Sequence, residues 1–155
     1  MLCENNRDHL TDFVRLNEEW ISTYFELEDV DHALAGNPGQ IIDDGGYIFS
    51  LMVNDEVVGA CALFYEGDGV YEIARMAVSP KHQGKGYGES LMQACLQKLA
   101  DLQARKAYIV SNTKLESAIA LYKKHDFKVV HSGEHPGYSR ANIVMERYVF
   151  TGLID

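Results

Sequence analysis

Three stretches rich in β-branched and aromatic residues, Tyr47–Val53, Val57–Tyr65 and Val70–Val78, follow one another with only Asn54-Asp55 and Glu66-Gly67-Asp68-Gly69 between them. Asn, Asp and Gly tolerate the positive φ that tight hairpin turns demand, so the three read as an antiparallel meander. Ser79-Pro80 stops the third strand, because proline has no amide hydrogen to offer a ladder. A glycine-rich turn follows, and then Tyr87, Leu91, Met92, Cys95, Leu96, Leu99 and Leu102 recur at helical spacing, predicting a helix from about Gly86 to Ala104. Before the meander, Leu10, Phe13, Val14, Trp20, Ile21, Tyr24 and Phe25 predict a helix over Asp8–Phe25 with Asp8 as its cap. A shorter helix or loop runs from there to Gly36-Asn37-Pro38-Gly39. After the long helix, Ala107–Ser111 reads as a strand. Thr113-Lys114-Leu115-Glu116 fits a capping box opening a helix to about His125. Phe127–Val130 and Ala141–Phe150 read as closing strands joined through Gly133 and Pro136-Gly137. This order of elements describes an α+β domain with a mixed sheet.

At 155 residues the chain is expected to form one domain, residues 1–155, and 46% apolar content excludes a disordered or fibrous chain. Its net charge of −9 argues against a nucleic-acid binder. No apolar run approaches a membrane span, and Met1–Leu10 has no apolar signal region. Cys3, Cys61 and Cys95 are odd in number with no C-x-x-C pair, which reads as reduced, hence cytoplasmic. The charge is also segregated. From Leu16 to Ala74 there are thirteen acids and no Lys or Arg, whereas Arg75 onward is net basic. Such a pattern is either a set of solvated faces or a cation-attracting side opposed to an anion-attracting one.

The segment with chemistry in it is Val78-Ser79-Pro80-Lys81-His82-Gln83-Gly84-Lys85-Gly86-Tyr87-Gly88-Glu89, a strand end, a glycine turn and a helix start. Glycines let the backbone come close to a ligand, and a helix N-terminus directs amide hydrogens at an anion. The combination is a phosphate cradle. It is not the Walker loop, and Glu89 stands where the dinucleotide fingerprint would place its third glycine.

Gln83-Gly84-Lys85-Gly86-Tyr87-Gly88 fits [Q/R]-x-x-G-x-[G/A], and Ala118 through Phe127 fits A-x-x-L/F-Y-x-x-x-G-F with Asp126 in the glycine position. On these two motifs the chain resembles the GNAT superfamily of acetyl-CoA-dependent N-acetyltransferases. Asp tolerates the left-handed helix-end conformation, so that departure is a mild one. Leu115 stands where many members carry Asn, and Asn112 is the nearby residue able to offer a comparable polar contact. The resemblance implies a mixed, mostly antiparallel sheet with a central strand splay and helices on both faces.

It further implies that the pantetheine arm of acetyl-CoA pairs with the backbone of Met76, Ala77 and Val78, while Gln83, Gly84, Lys85, Gly86, Tyr87, Gly88 and Glu89 hold the pyrophosphate. A backbone amide near Met76 would stabilise the oxyanion of acyl transfer. Glu72 is the candidate base for the attacking amine and Tyr122, which also borders the cofactor, the candidate acid for the leaving thiolate. Arg75 and Arg140 are candidates to clamp an acceptor carboxylate. Arg75 has opposite strand parity to Glu72, so both face one cleft only across a bulge. No metal is expected: His131 and His135 sit on a Gly/Pro connection with no third ligand in view. Cys95 reads as packing. The expected activity is direct acetyl transfer to a primary amine of a small molecule, preferentially a cationic one. A protein lysine or N-terminal amine as acceptor, or a non-catalytic acyl-CoA sensor, are the alternatives, and oligomeric state is left open, a homodimer included.

Overall fold

The computed structural model describes residues 1–133 and 140–149. Seven strands are found among them: β1 (Leu2–Glu4), β2 (Tyr47–Val53), β3 (Glu56–Gly67), β4 (Val70–Val78), β5 (Lys106–Ser111), β6 (Lys128–Ser132) and β7 (Ile143–Tyr148). The helices are α1 (Leu10–Tyr24), α2 (Asp29–Gly36), α3 (Gln40–Asp43), α4 (Tyr87–Asp101) and α5 (Glu116–Lys124). Sheet order is β1-β2-β3-β4-β5-β7-β6; β1–β2, β2–β3, β5–β7 and β7–β6 pair antiparallel and β4–β5 parallel. The mixed sheet expected from the element order is therefore present, and it is mostly antiparallel, as the family resemblance implies. Two compact units make up the chain: Met1–Tyr65 with Ile73–Cys95, and Glu66–Glu72 with Leu96 onward.

In the first unit the hairpin expectation holds residue by residue. Val53 pairs with Glu56, and Asn54 and Asp55 between them have φ of 51° and 63°, the two left-handed residues a type I′ turn requires. Both faces of β3 are covered. Ala60 and Ala62 pack with Phe13 and Leu16 of α1, while Gly59 and Cys61 turn toward Leu91 and Cys95 of α4. A Cβ on Gly59 would stand 3.3 Å from Leu91 Cδ1, so the missing side chain lets α4 lie close to the sheet. Phe13 and Leu16 are fully buried, each worth about 1.5–3 kcal/mol of transfer free energy.

Three local expectations are corrected here. The cap at the chain's first helical turn is Asn6, whose Oδ1 accepts the Asp8 amide at 3.0 Å, and a 3-10 turn over Arg7–His9 precedes α1. β1 was not expected, since three residues carry too little periodicity to register. Its ladder with β2 is what orders it. Similarly α3 forms just beyond Gly36-Asn37-Pro38-Gly39, where the expected shorter helix or loop ends, its one turn held by Ile41 packed into the α1 core.

In the second unit β5 pairs antiparallel with β7 along its full length, and β7 pairs with β6. Ala107, Ile109, Ile143 and Met145 bury the shared face. The capping box is not formed. Leu115 is the N-cap of α5 with no side-chain bond, and Thr113 Oγ1 instead accepts Asn142 Nδ2 at 3.0 Å. The far end of α5 follows expectation: Asp126 has φ 69°, with the Asp126 amide on Lys123 O and the Phe127 amide on Tyr122 O. This is the paired closure that a left-handed residue makes available. The expected link at Pro136-Gly137, and the strand end at Phe150, lie outside the described residues.

Candidate active site

β4 changes character along its length. Val70, Tyr71 and Glu72 form the parallel ladder with Lys106, Ala107 and Tyr108 of β5, and β4 then runs on for six residues to Val78. Within that continuation Arg75 has φ 58°. A left-handed conformation costs a residue with a side chain about 1–2 kcal/mol and breaks strand alternation. Accordingly Ala74, Arg75 and Met76 are all half-buried before Ala77 returns to the core. Strand parity lets Glu72 and Arg75 share a face only across an irregularity, and the left-handed residue is Arg75 itself.

Arg75 is turned toward the N-terminal helices. Its Nη1 donates to Asp31 Oδ1 at 2.6 Å and to Asn17 Oδ1 at 3.0 Å. The Asp31 side chain is 0% exposed and that of Arg75 10%. Asp31 Oδ2 also accepts the Glu28 amide at 2.8 Å, closing the start of α2. Neither Asp31 nor Asn17 was singled out in the sequence. They lie 44 and 58 residues from Arg75, and an acidic helix start reads locally as ordinary capping.

Beyond Val78 the Ser79 amide donates to Val58 O, and Pro80–His82 forms a single 3-10 turn. Gln83 Nε2 then reaches back to Val78 O at 3.2 Å, tying the glycine turn to the end of β4. Gly84 and Gly86 have φ of 77° and 82°, and a Cβ built on either meets nothing within 4 Å. These glycines serve a backbone conformation facing open space, not close packing. Helix α4 begins at once: the Ser90 amide bonds Gly86 O, so Tyr87 and Gly88 open the helix without a carbonyl four residues back inside it. Lys81 and Lys85 are exposed, and Glu56 lies 3.8 Å from Lys81 Nζ and 3.9 Å from His82 Nε2. The glycine spacing, an open backbone at a helix start and flanking lysines suit an anion with several phosphate oxygens.

The other expected site residues belong to the second unit. Glu72 is 4% exposed at the end of the β4–β5 ladder. Tyr122 is 9% exposed on α5, its ring 6.4 Å from that of Phe127 in an edge-on arrangement. Asn112 is engaged at both ends of its amide: Nδ2 donates to Arg140 O at 3.0 Å and Oδ1 accepts the Lys114 amide at 2.9 Å. Arg140 is half-buried. In the first unit Cys95 Sγ lies 3.6 Å from Cys61 Sγ, both fully buried. The hydrogen bond with Cys61, then burial, raise the Cys95 thiol well above its ordinary range, so at neutral pH it is a packed, protonated group and not a nucleophile.

Among the described residues no group of three or more His, Cys, Asp or Glu could hold a metal ion, and His135 lies outside them. No described helix is long and apolar enough to cross a membrane.

The sequence model of the acetyltransferase (GNAT) family matches residues 10–127. No curated protein sequence matches the chain. Among solved structures it is similar to a GNAT-family acetyltransferase from Staphylococcus aureus Mu50, with TM-score 0.84 and 16% identity over 96% of this chain and 98% of that one. A phosphinothricin acetyltransferase from Sinorhizobium meliloti, in complex with AcCoA, has TM-score 0.78 and 20% identity over 98% and 89%. Spermidine N-acetyltransferase from Vibrio cholerae, in complex with CoA and spermine, has TM-score 0.74 and 20% identity over 96% and 95%.

Proposed function

The chain belongs to the GNAT acetyltransferase family, and from that premise we propose that it transfers the acetyl group of acetyl-CoA directly to a primary amine of a small, cationic molecule. The observation that carries the proposal is the open backbone at Gly84 and Gly86, left-handed and with nothing within 4 Å of a built Cβ, at the start of α4. Gln83 through Glu89 would hold the pyrophosphate there, and the backbone of Met76, Ala77 and Val78 the pantetheine arm. Acetyl-CoA supplies an activated acyl carbon. The Met76 amide is the donor for the oxyanion that forms when the amine attacks. Glu72 takes the proton of the attacking amine, and Tyr122 returns one to the leaving thiolate.

Two features favour a cationic acceptor. The segment from Leu16 to Ala74 has thirteen acids and no base, and the first cation after it, Arg75, has its Nη1 bound to Asp31 and Asn17. A carboxylate-bearing acceptor would need a clamp from Arg140 or from the remaining Arg75 nitrogens to offset that field.

The test is thiol release from acetyl-CoA across a panel of diamines, polyamines, amino acids and peptides, with Glu72→Gln and Tyr122→Phe alongside. A diamine should exceed an amino acid of equal length in kcat/KM, and the margin should shrink as salt rises, since screening acts over about 8 Å at physiological ionic strength. Preference for peptides would replace the small-molecule reading with a protein acceptor. Tight acetyl-CoA binding with no turnover on any amine would leave a sensor.

A further inference from the structure

Arg75 is an unusual residue to find at a left-handed φ inside a strand. Glycine adopts such a φ freely. A long side chain adopts it only where the surroundings insist, and an observed outlier of this kind invites a search for what holds it.

Two side chains of the N-terminal helices hold it. One guanidinium nitrogen gives two hydrogen bonds, to Asp31 of α2 and Asn17 of α1. The Asp31 carboxylate has no exposure to water, so the attraction is little screened. Nor is that carboxylate free to swing, because its second oxygen holds the Glu28 amide. The Met76 amide belongs to the peptide that joins it to Arg75, so backbone rotation at Arg75 swings that N–H directly. Arg75, Asp31 and Asn17 thus fix the direction of the one amide to which the proposed reaction assigns the oxyanion.

We infer that Asp31 and Asn17 are positioning residues for acyl transfer, acting through Arg75 to keep β4 kinked and the Met76 amide aimed. This rests on the acyltransferase reading above. It does not require either residue to touch acetyl-CoA or the amine.

Glycine provides the discriminating experiment. Asp31→Asn leaves Arg75 in its demanding conformation with a weakened clamp, and kcat should fall about 10- to 100-fold, as small misplacements of a reacting geometry do. Acetyl-CoA affinity by calorimetry should fall by a smaller factor than kcat, since the Met76 peptide is one of several groups proposed to hold the cofactor but the one assigned to the oxyanion. Adding Arg75→Gly gives a backbone that takes φ 58° unaided, and the double variant should regain about tenfold in kcat over Asp31→Asn. Asn17→Ala, which removes the weaker of the two acceptors, should lose kcat in the same direction by a smaller factor, and serves if Asp31→Asn does not fold. A folded Asp31→Asn with wild-type kcat overturns the inference. So does a double variant that recovers thermal stability without recovering kcat. Amide hydrogen exchange at Met76, which needs no acceptor, separates this inference from the reading beneath it. If no amine is acetylated by the wild type, the reading falls, while faster exchange at Met76 in Asp31→Asn upholds the clamp and unchanged exchange refutes it.

Discussion

Helices α2 and α4 start under the same electrostatic demand and meet it in opposite ways. At α2 the first amides face acids of the chain itself: Asp31 Oδ2 accepts the Glu28 amide, and its Oδ1 holds Arg75. At α4 the approach is Gln83-Gly84-Lys85-Gly86, with two left-handed glycines, exposed lysines and open space where side chains would be. One helix start is closed by a buried carboxylate of its own. The other, left open, is where we propose that an anion from outside binds. A glycine turn and an acidic turn are thus the two sides of one physical rule, that unpaired amides at a helix N-terminus seek negative charge.

The strongest way to break the comparison is to give α4 what α2 has. Gly86→Asp adds a carboxylate at the turn, and Asp tolerates positive φ better than most residues, so the fold should survive by circular dichroism. Acetyl-CoA affinity should fall more than about 100-fold in calorimetry. Near-unchanged affinity in a folded variant would mean that the glycine turn is not the phosphate site.

The converse change strips α2. Asp31→Ala leaves a buried guanidinium without its carboxylate and should cost about 3–5 kcal/mol in urea unfolding, the range for breaking a buried pair from one side. A loss below about 1 kcal/mol would show that water replaces the carboxylate and that α2 is not truly closed.

A smaller effect sharpens the electrostatic half of the contrast. Lys85→Ala should weaken acetyl-CoA binding about two- to fivefold at low salt and less at high salt, because exposed charges are screened. A salt-independent loss would assign Lys85 a specific contact in place of a general field.

The smallest effect concerns α5, whose start resembles neither of the others. Thr113→Ala should change stability by less than about 0.5 kcal/mol, since the hydroxyl of exposed Thr113 bonds half-buried Asn142 and caps nothing. A loss near 1 kcal/mol would restore it to a capping role.

That third helix start shows where local pattern reading stops. Thr113 and Glu116 have the capping-box spacing, yet Asn112 takes the Lys114 amide and Asn142 engages Thr113, so a long-range partner outcompetes the local one. α4 shows a related limit. Its apolar period continues to Leu102, but the helix ends at Asp101 because Gln103 goes left-handed, with the Ala104 amide closing on Leu99 O.

The sequence by itself determined whatever rests on short-range chemistry. Alternation and turn residues placed β2 and β4 at Tyr47–Val53 and Val70–Val78 with their connecting turns. Glycine spacing located the candidate phosphate turn, and two motifs pointed to the family. Tertiary structure alone decided the rest. It made a strand of Leu2–Glu4 by offering it a neighbour, brought Cys61 beside Cys95, and joined Arg75 to Asp31 across 44 residues. The physical reason is common to all three. A turn or a period is written in the preferences of adjacent residues, whereas a kinked strand and a buried ion pair exist only once distant segments have excluded water from between them.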